Sequence, residues 1–146
     1  MQAIIYQSAL PDIAKGLAKL IETIWLKSNK LLIYSSNKEL LQRMDEILWT
    51  YEQLSFLPHV FQDDEIASKT PVVLTSDLHN VNNANILVCL DPLLPDSFTD
   101  FEKMIYMYSY TEGREKVNPF IQQLQTKKIE VIEYQQAPSG AWQKIA

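Results

Sequence analysis

At 146 residues, with 47% hydrophobic content and one cysteine, Cys89, the chain has the size of a single globular domain, residues 1–146, without an internal disulfide. No apolar run approaches the roughly 20 residues of a membrane-spanning helix. The formal charge of −5 is uneven: residues 44–102 carry eleven acids against one base, Lys69, while the flanks together carry +5. The middle should repel DNA phosphates, so contact with DNA is expected only through a partner, whereas the basic ends suit an acidic one.

The opening MQAIIYQSALPD lacks the basic flank and long apolar core of a secretion signal. Together with the lone cysteine this fits a reducing, cytoplasmic setting. Residues 3–6 (AIIY) suit a buried strand. Pro11 then opens a helix to about Ser28, with Ile13, Leu17, Leu20, Ile21 and Ile24 at helical spacing. Residues 31–34 (LLIY) form the next strand, and Ser35–Ser36–Asn37 leads into a second helix. Strand, helix, strand, helix is the pattern of an α/β layer fold.

Asn37 is a good N-cap, and Leu40, Leu41, Met44, Ile47, Leu48 and Tyr51 form one helical stripe. Trp49 falls roughly 140° from the stripe's centre, beside Asp45, Glu46 and Glu52. A helix rarely spends its largest apolar side chain on its wet face. Phe56, Leu57 and Pro58 follow in a segment too short and proline-stiffened for a regular element. Either a neighbouring loop covers Trp49, or the ring and this segment form a docking surface.

Residues 62–70 (QDDEIASKT) are expected to form a mobile polar loop. PVVLT at 71–75 and ILVCL at 86–90 are two more strands, joined by an Asn-rich turn-forming stretch. MIYMYS at 104–109 is another strand. A last helix spans Thr111 to Lys128, kinked or started by Pro119, with Val117, Phe120, Ile121 and Leu124 on one face. IEVIEY at 129–134 closes the sheet, and APSGAWQKIA is a tail.

No catalytic constellation is legible. His59 and His79 lie in different loops, and Cys89 sits in an apolar strand as a core thiol, so no metal site is expected. The glycines, Gly16, Gly113 and Gly140, are far apart, and the first strand-to-helix turn reads QSALPD, so no nucleotide-binding loop or other cofactor site is expected. Asp63, Asp64 and Glu65 read as solvated acids rather than a magnesium cluster. The competing reading is a small α/β hydrolase or metal-dependent enzyme using these loop acids and His59. A toxin- or nuclease-like acidic protein is a third, separable by metal titration.

Four pieces, MDEILW at 44–49, SFLPHVF at 55–61, the strand pair PVVLT and NILVCL, and GAWQK at 140–144, resemble the chi subunit family of bacterial DNA polymerase III holoenzyme. Most specific is Leu48–Trp49 followed by Ser55–Phe56 and Pro58–His59, similar to the family's Leu-Trp pair and later Ser-Phe-x-Pro-His segment. The resemblance covers nearly the whole chain. It implies a Rossmann-like three-layer α/β domain, its mostly parallel sheet flanked by helices, without a nucleotide site. It also implies a non-catalytic clamp-loader accessory protein, monomeric or paired with psi, that links psi to the acidic C-terminal tail of single-stranded-DNA-binding protein.

By the same resemblance Trp49, Phe56 and Pro58 match the psi-binding surface. The tail site would lie on the last helix, with Lys116, Lys127 and Lys128 as cations and Val117 and Ile121 as pocket walls. One departure stands out: residues 120–125 contain no counterpart of the family's arginine in that helix.

Overall fold

The apolar runs read as strands pair into one eight-stranded sheet. The computed structural model describes residues 1–51, 57–95 and 101–145. Its elements are β1 (Gln2–Ser8), α1 (Ala14–Leu26), β2 (Leu31–Tyr34), α2 (Lys38–Thr50), β3 (His59–Phe61), β4 (Val72–Thr75), β5 (Ile86–Cys89), β6 (Lys103–Ser109), α3 (Val117–Thr126), β7 (Glu130–Gln136) and β8 (Trp142–Lys144). The strand order is β3-β4-β2-β5-β6-β1-β7-β8, parallel except for the β7–β8 pair.

The connections explain the three layers. From β1 and β2 the chain moves toward the β3 edge through α1 and α2, which share one face. From β3 onward it moves back toward β7, and those links pack on the opposite face through Ala67, Leu78, Val81, Phe101 and α3. All the crossovers thus have one hand, as the strand twist requires. Ile33, Leu74, Val88 and Ile105 point at α1 and α2, while Leu32, Val73, Leu87 and Met104 point the other way. Central strands buried on both faces are the reason these runs are continuously apolar.

Several boundaries depart from the sequence reading. Helix α1 begins at Ala14 rather than Pro11, because Asp12 accepts the Ala14 N–H at 3.0 Å and holds the chain outside the helix until then. Before α3, a short 3₁₀ turn at Tyr110–Glu112 ends at Gly113, whose φ of 70° and extended ψ break the expected long helix. Pro119 falls in the first turn of α3, where it disrupts no helical bond. Residues 62–70 are no simple polar loop: Ala67 and Thr70 are buried, and Thr70 hydrogen-bonds back to the Ile66 carbonyl. Strand β7 does not close the sheet, since the tail returns as β8 beside it.

Candidate docking surface around Trp49

Helix α2 is capped as its sequence suggests, with the Asn37 side chain accepting the Glu39 N–H at 3.0 Å. Leu41, Met44 and Leu48 face the sheet and are buried. One step past Leu48, about 100° around the helix, Trp49 points away from that core and is 56% exposed. No described loop covers it.

Beneath the ring lies His59, the first residue of edge strand β3. Pro58 is tolerated immediately before it because only an internal strand position demands the missing N–H. The Trp49 and His59 ring centroids are 4.4 Å apart with planes inclined by 49°. The His59 side chain is fully buried. Its Nδ1 lies 2.7 Å from the Leu57 carbonyl oxygen. A carbonyl can only accept, so Nδ1 carries the proton and donates.

Nε2 makes no hydrogen bond and stands 3.4 Å from Asp45 Oδ1. Burial pushes the Asp45 carboxyl above the ordinary carboxylate range, partly opposed by His59 and by a hydrogen bond from the Trp49 indole. Asp45, Trp49 and His59, with Phe61, Asp63 and Asp64, line an open cleft of about 430 Å³. It shares Phe61 and Asp63 with a second cleft of about 690 Å³, which reaches Lys38 and Leu41 of α2, Thr75 at the end of β4 and Asp77 beyond it.

Of the expected docking residues, Trp49 is exposed and Pro58 half-buried, adjoining the histidine on which Trp49 rests. Phe56 lies outside the described residues. Leu57, read from sequence as part of the surface loop, is instead buried with Met44 and Leu48. The sequence reading set Asp45 beside Trp49 without making it a hydrogen-bond partner, and it did not bring His59 to the ring at all. Asp45 was accessible in principle, standing four residues before Trp49 on one helix face; His59 was not, because a three-residue strand has no periodicity to read.

The expected tail-site residues are not brought together. Val117 and Ile121 are 1% and 7% exposed and belong to the core under α3, which corrects their assignment as walls of a surface pocket. Lys116 precedes α3 and Lys127 follows it, so about 15 Å of helix separates them. Lys128 adopts a left-handed φ of 61°, and Ile129 N–H bonds back to Leu124 O at 3.1 Å, closing the helix. Arg114, just before α3, is engaged by Glu133 at 2.7 Å and by the Tyr108 hydroxyl.

Other chemistry is structural. Cys89 is fully buried, which pushes its thiol up to about 12. In the QSALPD turn the Ser8 hydroxyl accepts the Leu10 N–H and Gln136 accepts the Ala9 N–H. Among the described residues no three His, Cys, Asp or Glu side chains could hold a metal ion, and no helix is long and apolar enough to cross a membrane.

These features define a mostly parallel three-layer α/β domain whose exposed indole stands at an acidic cleft. Comparison with known proteins places it further. The family described as "DNA polymerase III chi subunit, HolC" matches residues 1–118, and the chain belongs to that family. A curated relative from Rickettsia prowazekii (strain Madrid E), named "Probable DNA polymerase III subunit chi", is 27% identical, covering 97% of this chain and 90% of the relative. Among solved structures, the Sulfolobus solfataricus SWI2/SNF2 ATPase C-terminal domain aligns at 13% identity and a TM-score of 0.48, covering 76% of this chain and about half, 55%, of that one. As a chi-family member the chain is an accessory subunit of a replicative polymerase holoenzyme and not itself an enzyme.

Proposed function

We propose that the chain works in the cytoplasm as a clamp-loader accessory subunit, docking psi through the Trp49 surface and holding the acidic C-terminal tail of single-stranded-DNA-binding protein elsewhere. The observation that carries this reading is the exposed Trp49 ring, held rigidly on a buried histidine in a chi-family chain. A rigid aromatic at a cleft loses little entropy when a partner covers it, and such anchors dominate binding energy. Pro58 and Phe56 belong to the same proposed surface.

On this reading the tail receptor lies at the C-terminal end of α3, a proposal supported by Lys127 and Lys128 adjoining half-buried Ile129. Lys116, at the other end of the helix, contributes only longer-range attraction. A tail rich in acids with an apolar end matches cations beside an apolar side chain, and its affinity should fall with salt. DNA is reached through these partners. Size-exclusion chromatography and affinity capture from the source cells test the scheme: co-elution with clamp-loader subunits supports it, and elution without any replication protein contradicts it.

A further inference from the structure

The cleft beside Trp49 has a lining of one chemical kind. Asp45, Asp63 and Asp64 present carboxylates, and no Lys or Arg lines it. His59 Nε2 stands in the same wall, 3.4 Å from Asp45 Oδ1. With Nδ1 donating to Leu57, Nε2 is buried in the cleft wall without a hydrogen bond. A set of acceptors beside an exposed indole lacks one thing, a cationic donor that can also lie against a ring. A guanidinium fits better than an ammonium, being planar, weakly hydrated and rich in donors.

We propose that this cleft is the receptor for an arginine side chain of the partner segment that docks on Trp49, so that the partner is basic at its anchor point. The inference rests on the docking reading and adds the partner's chemistry to it. It also separates the two partners: an acidic tail is repelled from this face and directed to the lysines after α3, on the opposite side of the sheet.

The test uses the full chain and N-acetyl-arginine amide as probe, followed by NMR of the Trp49 indole N–H and the amides of residues 60–64. The neutral isostere N-acetyl-citrulline amide and the lysine analogue serve as controls. Saturable shifts confined to the cleft are expected with arginine only. The Asp63→Asn, Asp64→Asn double variant should weaken the response about tenfold. Asparagine keeps an acceptor for the Ile66 N–H that Asp64 holds, so the turn survives. Glu115→Gln, before α3, should change nothing. An equal response to citrulline or lysine, no response, or shifts unchanged in the double variant overturns the inference. If arginine fails while partner capture still requires Trp49, only this inference falls; if neither depends on the cleft, the docking reading falls with it.

Discussion

The indole of Trp49 lies against the imidazole of His59, 4.4 Å between ring centroids, and hydrogen-bonds the carboxylate of Asp45 one helical turn earlier. The exposed ring is therefore fixed from two sides while contributing little to the core. Trp49→Ala should cost about 1 kcal/mol or less, the worth of one exposed aromatic contact, and lower the melting temperature by about 2–4 °C. His59→Ala empties a buried position and should cost clearly more. Thermal denaturation of the two variants checks the order.

Phe120 and Val117 belong to the core under α3. Phe120→Ala should destabilise by about 3–5 kcal/mol, measured by urea denaturation. Any loss of tail binding in that variant reflects unfolding, so tests of the tail site belong on Lys127 and Lys128.

Lys128 occupies a left-handed position that costs a side-chain-bearing residue about 1 kcal/mol relative to glycine. Lys128→Gly should therefore raise stability by up to about that amount while removing a charge. Under the tail proposal the same variant binds an acidic peptide with an apolar C-terminal residue more weakly. Calorimetry together with melting curves separates the two effects, since stability and affinity move in opposite directions.

Burial pushes the Cys89 thiol from an ordinary 9.0 to about 12. A raised folded-state value means this contribution to stability is fully present below pH 9 and is lost as pH rises toward 12. Cys89→Ala should show a shallower alkaline loss of stability than the wild type across that window. Native protein should also resist a thiol reagent at pH 8 and react only once unfolded, as an absorbance assay would read.

Asp91 accepts a hydrogen bond from Ser35 at 3.1 Å, yet burial still raises its carboxyl above the ordinary value, and Oδ1 has no partner. The carboxylate thus weakens the fold once it ionises: the contribution of this group to stability is fully present below about pH 4 and is lost as pH rises through the raised value. Asp91→Asn should melt higher than the wild type at pH 7, and the gap should close at pH 3.

Much of the central sheet was legible because strands buried on both faces are continuous apolar runs, as in LLIY, which forms β2 without adjustment. Strands β3 and β8 were not, since a three-residue edge strand owes its existence to its neighbour rather than its own pattern. Trp49 stood out because it broke the stripe of α2. Val117 and Ile121 were misplaced for the converse reason: they lie on the stripe of α3, and a stripe that packs on a sheet cannot also wall a surface pocket. Residues that keep a helix's period reveal packing, and those that violate it reveal surfaces.

The central claim is that Trp49 anchors a partner in the clamp loader. Titration calorimetry of purified psi, or of the clamp-loader assembly captured from the same cells, into wild type and Trp49→Ala tests it most directly. An anchor of about 2 kcal/mol predicts roughly thirtyfold weaker binding by the variant, with its fold intact by circular dichroism. Equal affinity for wild type and variant would contradict the account.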